Sequence, residues 1–292
     1  MQKPRQSNPR FTVVIPTLNE EAHLPRLLTD LSRQTFKNFE VIVVDAKSND
    51  KTREIAKKYK ANVLISNKKN VSFQRNAGAK KGSSEWIVFM DADNRIPKNY
   101  LQKVDKYLET NGPDILSTWL TPDNGSKKDK LTANIMNVFM EIYKNTKKPY
   151  VMESMIFIKR DSFKAIGGFD IKIPWREGED LLKRGIQMGM KYEFIKTPKY
   201  AYSFRRFKKL GAYGMLQDTA QMEIIKLMKG TLPKKEAEIL YPMKGGGFYI
   251  DGKKQKLTLQ KFISILFQDK TVNAGSVKLF KKSFDSWKSL FG

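Results

Sequence analysis

The stretch Trp86-Ile87-Val88-Phe89-Met90-Asp91-Ala92-Asp93 joins an apolar run directly to a pair of carboxylates. A short apolar run of this kind is typical of a strand buried on both faces, as in a parallel sheet covered by helices. Alternate side chains of an extended chain point the same way, so Asp91 and Asp93 leave the strand end on one side, with the small Ala92 between them. The stretch therefore predicts a central strand whose carboxyl end carries two acidic side chains.

The alternation of apolar strand and polar helix continues on both sides of this stretch. Such an order builds a parallel sheet with helices on its faces. Ligands of an open α/β sheet collect at the carboxyl ends of the strands, where Pro16–Glu20 and Asp45–Ser48 are expected to join the aspartate pair. The predicted strands are Phe11–Pro16, Phe39–Asp45, Asn62–Ser66, Trp86–Asp91 and Asp114–Leu120, and the predicted helices are Glu20–Arg33, Asp50–Tyr59, Ser72–Lys81 and Pro97–Thr110.

The composition excludes several kinds of site. The 292 residues include 55 Lys and Arg against 30 Asp and Glu, no Cys and a single His, His23, and the formal net charge is +25. Disulfides, thiolate nucleophiles and zinc sites built from several His or Cys are therefore excluded, and any metal must sit on carboxylates, which favours Mg or Mn. No Walker lysine and no Gly-x-Gly-x-x-Gly follows a predicted strand. The positive charge favours partners rich in phosphate.

Beyond Arg206 the chain is strongly basic and ends in an amphipathic pattern. The apolar residues of this pattern share one helical stripe with lysines elsewhere, so the helix either docks on the domain, lies in the interface of an anionic membrane or binds a partner. The chain begins without a secretory signal, and its apolar runs are shorter than the roughly 18–20 residues that span a bilayer. We therefore expect a cytoplasmic protein, with a peripheral position at the cytoplasmic membrane face left open. The stripe consists of Val277, Phe280, Phe284, Trp287 and Phe291.

Six short motifs follow one another between Phe11 and Arg206. They are Val13–Glu21, Val43–Thr52, Arg75-Asn76-Ala77-Gly78, Asp91-Ala92-Asp93, Gly167-Gly168-Phe169-Asp170 and Gly178-Glu179-Asp180. In this order and approximate spacing the set resembles glycosyltransferase family 2, the nucleotide-sugar transferases of GT-A fold. Each motif is weak by itself, and the complete series is highly specific.

The resemblance implies an α/β fold with a GT-A-type, Rossmann-like open mixed sheet flanked by helices, and the composition adds a basic helical C-terminal extension. Together the resemblance and the composition divide the chain into four segments. They are a basic N-terminal tail (1–10), a nucleotide-sugar-binding half (11–120), an acceptor-binding half (121–210) and the basic extension (211–292), which is a candidate for membrane association.

The resemblance further implies roles for individual residues. Pro16, Glu20 and Asp45 would hold the nucleoside, Asp91 and Asp93 would contact ribose, diphosphate and a Mg or Mn ion, and Asp180 would be the catalytic base. The other candidate substrate-binding residues are Arg75, Asn76, Trp175, Glu179, Arg205 and Arg206. The residues Asp45-Ala46-Lys47 depart from the two acids or Asp-Gly of many members, so the nucleobase is not assigned. The residues Asn94-Arg95 likewise leave a third metal ligand unassigned.

The expected function is an inverting, divalent-metal-dependent transfer of a sugar from a nucleoside-diphosphate donor to a glycan or a polyprenyl-lipid-linked acceptor. One base with no nucleophile opposite it favours a single displacement with inversion. Two alternatives stay open. The charge and the interleaved aromatics of the last third are compatible with a phosphate- or RNA-binding protein, although no specific nucleic acid is expected as a partner. A catalytically inactive sugar-nucleotide binder of the same fold is the second, and the intact Asp91, Asp93 and Asp180 count against it.

Overall fold

The computed structural model describes residues 8–205, except 124, 145, 147 and 148. The strands are β1 (Phe11–Thr17), β2 (Phe39–Asp45), β3 (Asn62–Ile65), β4 (Trp86–Met90), β5 (Ile115–Pro122), β6 (Met155–Lys159) and β7 (Tyr192–Tyr202). The helices are α1 (Leu24–Ser32), α2 (Thr52–Lys58), α3 (Val71–Lys81), α4 (Tyr100–Asn111), α5 (Lys127–Tyr143), α6 (Arg160–Ile166) and α7 (Glu177–Gln187). Arg206, the predicted extension 211–292 and residues 1–7 of the predicted tail lie outside the described residues, and the predicted division at residue 120 stays a prediction.

The strands form one mixed sheet in the order β3-β2-β1-β4-β6-β5-β7. Strands β1 to β4 run parallel, as the alternating pattern predicts, whereas β6 is antiparallel to both β4 and β5. The five predicted strands are confirmed with shifts of one or two residues at their ends. The mixed α/β sheet implied by the resemblance is confirmed as well.

Helix α1 begins at Leu24 instead of the predicted Glu20. The backbone N–H groups of His23 and Leu24 both donate to the carbonyl oxygen of Glu20, so this segment is a turn. Asn19 precedes it with φ of 54°, in the left-handed region, which a helix cannot continue through. The prediction was wrong here because the mostly polar stretch Asn19–His23 belongs to the loop between β1 and α1.

The direction of β6 decides which residues reach the acidic edge of the sheet. Met90 at the end of β4 pairs with Met155 at the start of β6, and the N–H of Asp91 donates to the carbonyl of Ser154 at 3.1 Å. Because the two strands are antiparallel, the segment that precedes β6 lies at the carboxyl end of β4. The residues just before Met155 therefore face Asp91 and Asp93.

The core of the sheet is continuous and apolar, with β4 buried over its whole length. Phe89 of β4 packs edge-on against Phe169, whose loop leads towards α7, with ring centroids 4.9 Å apart. Burial of these side chains supplies the main stabilisation of the fold. Within the described part of the chain, the helices lack the length and apolar character that crossing a membrane requires.

Helix α3 lies unusually close to the sheet at Gly78. A Cβ added to this glycine would stand 2.4 Å from Val14 Cγ1 and 3.0 Å from Val44 Cγ2. The close approach fixes the helix above β1 and β2, and Gln74 one turn earlier donates to the carbonyl oxygens of Thr17 and Val44 at 3.0 and 2.6 Å. Gly78 therefore helps to place the start of α3 at the acidic edge.

We expect Gly78→Ala to lower the melting temperature by several degrees. Overpacking of a well-packed core costs about 1–3 kcal/mol, which opposes the roughly 1 kcal/mol that alanine gains over glycine in a helix. Differential scanning fluorimetry measures the change. Gly125→Ala is the control, because its Cβ would meet just Lys130 Cε, at 3.9 Å. Equal melting temperatures for the two variants would contradict this account of the α3 contact.

Candidate active site

A cavity of about 230 Å³ opens at the edge of the sheet where β1 and β4 end. Its wall combines the loop after β1, the start of α3, the aspartate pair, the segment before β6, the first turn of α7 and the segment after β7. Eight residues predicted from the sequence line it, which brings most of the predicted site together. They are Pro16, Glu20, Arg75, Asp91, Asp93, Trp175, Glu179 and Arg205.

Asp93 is the more enclosed member of the aspartate pair, with its side chain 11% exposed. Its Oδ2 lies 3.0 Å from Nε of Arg205, whose guanidinium also contacts Oε1 of Glu20 at 3.3 Å. Burial raises the pKa of Asp93 to about 6, a rise that Arg205 opposes and the nearby carboxylates of Asp91 and Glu20 increase. Arg205, a predicted substrate-binding residue, is thus held by acidic residues.

The aspartate pair fits a hard divalent cation in the chemistry of its donor atoms, since Mg²⁺ and Mn²⁺ prefer carboxylate oxygens. In residues 8–205, gaps excepted, no set of three or more Asp, Glu or His side chains converges as a complete metal site. The side chain of Asn94 is buried, its amide nitrogen donates to the carbonyl of Ser154, and its Oδ1 has no hydrogen-bond partner among the described residues, so a third protein ligand stays unassigned. Arg95 is paired with Asp30. A cation on Asp91 and Asp93 would therefore take its remaining ligands from substrate phosphate and water.

Arg75 is buried and joins the aspartate pair to α7. Its Nη1 donates to Oε1 of Glu177 at 2.7 Å, and its Nη2 donates to Oδ1 of Asp91 at 3.0 Å and to the carbonyl of Glu153 at 3.2 Å. The side chains of Arg75 and Glu177 are each 3% exposed. Although Arg75 lines the cavity, its guanidinium mainly holds other elements of the site in place.

Glu153 belongs to the site and was missed by the sequence reasoning. Its Oε1 accepts a hydrogen bond of 2.7 Å from the backbone N–H of Gly178 in the first turn of α7. Burial raises the pKa of Glu153 well above its usual range, and the charge of Glu177 adds to this rise while Arg75 opposes it. The signal was a lone carboxylate in the mostly apolar stretch 151–158, which leads into and includes most of β6.

The first turn of α7 presents its acids in two directions. Glu179 lines the cavity, and its Oε1 lies 2.5 Å from Nε of Arg176. The guanidinium of Arg176 lies over the rings of Tyr150 and Trp175, with its Cζ 4.7 and 4.9 Å from the two ring centroids. Asp180 is not among the lining residues. Its Oδ2 accepts a hydrogen bond of 2.8 Å from Nε of Arg184.

Arg184 connects Asp180 to the turn that follows α6. Its Nη1 and Nη2 donate to the carbonyl oxygens of Ile166 and Gly168 at 2.6 and 2.8 Å. The guanidinium therefore holds the Asp180 carboxylate at a fixed place beside the helix. The role of Asp180 as base stays a prediction.

Two other predicted residues lie beside the cavity and brace loops. Asp45 is completely buried and accepts hydrogen bonds from the N–H of Ser48 at 2.9 Å and the hydroxyl of Thr17 at 3.1 Å. Asn76 pairs with the backbone of Phe169 through both ends of its amide, at 2.8 and 2.9 Å. Their predicted contacts with the nucleoside and the substrate stay predictions.

Comparison with known proteins identifies relatives of this arrangement. The family described as Glycosyl transferase family 2 matches residues 12–167, more than half of the chain. The poly(ribitol-phosphate) β-N-acetylglucosaminyltransferase TarS of Staphylococcus aureus is 32% identical over 124 residues, which cover 40% of this chain and 22% of TarS. The minor teichoic acid biosynthesis protein GgaB of Bacillus subtilis is 29% identical over 210 residues, which cover 67% of this chain and 23% of GgaB. Each match spans less than a quarter of the relative's own length.

Solved structures share the fold. S. aureus TarS 1–349 in complex with UDP matches with a TM-score of 0.59 at 18% identity, covering 94% of this chain and 87% of that one. The mannosyltransferase PcManGT from Pyrobaculum calidifontis, in complex with GDP-Man and Mn²⁺, matches with a TM-score of 0.59 at 16% identity, covering 97% and 76%. These likenesses confirm the predicted GT-A fold.

The carboxyl of Glu153, which lines the cavity and has a raised pKa, makes the stability of the fold depend on pH. Because the pKa of Glu153 is raised in the folded protein, the folded state binds a proton more tightly than the unfolded chain does. The free energy of unfolding therefore falls as the pH rises from the ordinary pKa of a glutamate towards the raised pKa of Glu153. Glu153→Gln removes the ionisation and keeps an acceptor oxygen. We expect the variant to gain stability relative to the wild type from pH 5 to pH 8.

Urea denaturation of both proteins at pH 5, 6, 7 and 8 measures the difference in unfolding free energy. Charges near Glu153, namely Glu177, Glu179 and Arg75, are the same in both proteins, so their own titration largely cancels. A difference that stays constant or shrinks towards pH 8 would contradict the raised pKa.

Proposed function

The chain belongs to glycosyltransferase family 2, and from this premise we propose that it transfers a sugar from a nucleoside-diphosphate donor to an acceptor hydroxyl with inversion. The observation that carries the proposal is the shared cavity, which is lined by Asp91 and Asp93 at the end of β4 and by Glu179 in the first turn of α7, the turn that also carries the proposed base Asp180. A transferase needs both groups, since one end of the site handles the leaving diphosphate and the other handles the acceptor proton.

The donor occupies the acidic edge in this proposal. The loop containing Pro16 and Glu20 lies beside the aspartate pair, and Asp91 and Asp93 would hold Mg²⁺ or Mn²⁺. When bound, the cation neutralises the negative charge that develops on the leaving diphosphate. PcManGT, whose structure contains GDP-Man and Mn²⁺, supports the choice of a divalent cation. Arg205, next to Asp93, supplies a guanidinium that suits phosphate oxygens.

The chemical step is a single displacement. The acceptor oxygen attacks the anomeric carbon, the bond from this carbon to the diphosphate oxygen breaks, and the nucleoside diphosphate leaves with the bonding electrons. The acceptor proton passes to a carboxylate in the first turn of α7, for which we propose Asp180. Arg184 orients this carboxylate, as the third group of a catalytic constellation does. Catalytic hydrogen bonds often align only when substrate is bound, and Asp180 directly follows the cavity-lining Glu179 in the first turn of α7.

The acceptor is a polymer or lipid-linked glycan of the cell envelope. Support comes from the relatives, since TarS is named for poly(ribitol-phosphate) and GgaB for teichoic acid biosynthesis. A net charge of +25 suits acceptors that carry phosphate and an anionic membrane surface that presents a polyprenyl-linked acceptor. The stacked side chains of Trp175, Arg176 and Tyr150 form an aromatic and cationic part of the cavity wall that fits such an acceptor.

Donor binding is expected to require a divalent cation and Asp93. Calorimetric titration with UDP-GlcNAc and GDP-mannose, in Mn²⁺ and in EDTA, measures this requirement. Asp93→Ala should weaken binding of the accepted donor about tenfold or more, which corresponds to about 1.4 kcal/mol, and should abolish the difference between Mn²⁺ and EDTA. Asp105→Ala serves as the control, because Asp105 pairs with Arg10 and does not line the cavity. Unchanged affinity and unchanged Mn²⁺ dependence in Asp93→Ala would refute the metal assignment.

Asp180→Asn is expected to retain donor binding and to lose transfer by about a hundredfold or more, the scale of general-base catalysis. Glu179→Gln should lose less, because it removes a charge from the cavity wall and leaves the proposed base. Asp161→Asn is a matched control, an exposed acid in the first turn of α6. Initial rates are measured with donor and a verified acceptor. Full activity in Asp180→Asn with a large loss in Glu179→Gln would move the base to Glu179.

A further inference from the structure

The amino end of α7 is capped by a residue from another part of the chain. The first N–H groups of a helix have no partner within the helix, and a side-chain oxygen usually satisfies one of them. At α7 the N-cap residue Arg176 has φ of 60° and its side chain does not cap the helix. The carboxylate of Glu153, which precedes β6, instead accepts from the N–H of Gly178 at 2.7 Å.

The packing around this hydrogen bond leaves little freedom. A Cβ on residue 178 would stand 2.6 Å from Glu153 Cγ and 3.3 Å from Ile156 Cδ1. Glycine at this position therefore allows the Glu153 side chain to lie directly against the helix backbone. Both the hydrogen bond and the close packing therefore fix the Glu153 side chain against the first turn of α7.

Glu153 and Arg75 both contact the first turn of α7, but their side chains bind different partners. Arg75 binds Glu177 and also Asp91, so its loss would disturb the aspartate pair and α7 together. The carboxylate of Glu153 contacts α7 through Gly178, one residue before Glu179 and two before Asp180. Changing Glu153 thus tests the placement of α7 while the side chains of Arg75 and Asp91 are retained.

We propose that Glu153 is a positioning residue for the transfer reaction, which holds the first turn of α7 and thereby the carboxylates of Glu179 and Asp180 against the acceptor side of the cavity. The inference rests on the proposed function. The interaction needs an acceptor oxygen at the end of a side chain of this length, so glutamine can replace glutamate and alanine cannot.

The test compares Glu153→Ala and Glu153→Gln with a matched control, Gln34→Ala. Gln34 is buried outside the cavity, and its Oε1 accepts from the N–H of Leu101 in the first turn of α4 at 3.0 Å. Both alanine variants therefore remove an acceptor from a helix amino end. Two readouts are used well below the melting temperatures, namely kcat and donor KM, and hydrogen–deuterium exchange of peptides that cover the first turn of α7.

We expect Glu153→Ala to lower kcat about tenfold or more with a small change in donor KM, and to speed exchange in the first turn of α7. Glu153→Gln should restore both properties, and Gln34→Ala should change neither at α7, even if it lowers the melting temperature equally. Wild-type exchange in Glu153→Ala would overturn the proposal. So would a rise in donor KM at constant kcat, which would place Glu153 on the donor.

The exchange readout separates this inference from the proposed function. If the wild type turns over none of the nucleotide sugars offered, the proposed function fails, and exchange still shows whether Glu153 holds α7. Gly178→Ala provides a second variant at the same contact. Its added Cβ should speed exchange in the wild-type background and have a smaller effect in Glu153→Ala, where Cγ is absent. Additive effects of the two changes would count against a direct contact.

Discussion

The arrangement of the site depends on the hydrogen bonds and ion pairs of the buried Arg75 guanidinium. This guanidinium sits between the end of β4, the segment before β6 and the start of α7, and donates to Asp91, the carbonyl of Glu153 and Glu177. Removing one partner of a buried ion pair typically costs about 3–5 kcal/mol, because the remaining charge stays buried without compensation. The three elements are therefore constrained to meet at one place, and the cavity forms where they meet.

The antiparallel direction of β6 explains why residues distant in sequence share this place. Strands β1, β2 and β4 are parallel and bring the loops after Thr17, Asp45 and Met90 to one edge. A further parallel strand would bring its own carboxyl end there, whereas β6 brings the residues before Met155. Glu153 reaches the edge by this route and can meet α7, which follows β6 in the chain. The reversal thus places a residue of the second half of the chain beside the aspartate pair of the first.

Local patterns in the sequence predicted the parts of the fold that depend on local physics. The five strands and four helices predicted up to residue 120 follow from apolar periodicity, whereas β6, β7 and α5 to α7 were not assigned from the sequence. The carboxylates of Asp91 and Asp93 follow from their place at a strand end. The turn at Glu20–His23 was missed because a polar run is compatible with either a helix or a loop. Glu153 was missed because its importance comes from a tertiary hydrogen bond to Gly178, which spacing does not encode. Asn76 belongs to a motif, and its hydrogen bonds to Phe169 could not be read from that motif.

The balance of charge at the acidic edge gives a physical reason for donor and cation to bind together. Among the described residues lining the cavity, Glu20, Asp91 and Asp93 meet the guanidinium groups of Arg75 and Arg205, and Arg75 is shared with Glu177. The carboxylates outnumber these two guanidinium groups, and Asp91 and Glu20 add to the rise in the pKa of Asp93 that burial causes. On the proposed function, a diphosphate that entered alone would add negative charge to a site already short of cations. A divalent cation bound with the diphosphate would offset the negative charge of the diphosphate and of the acidic side chains. The acidic edge would therefore repel a free nucleotide and bind its metal complex.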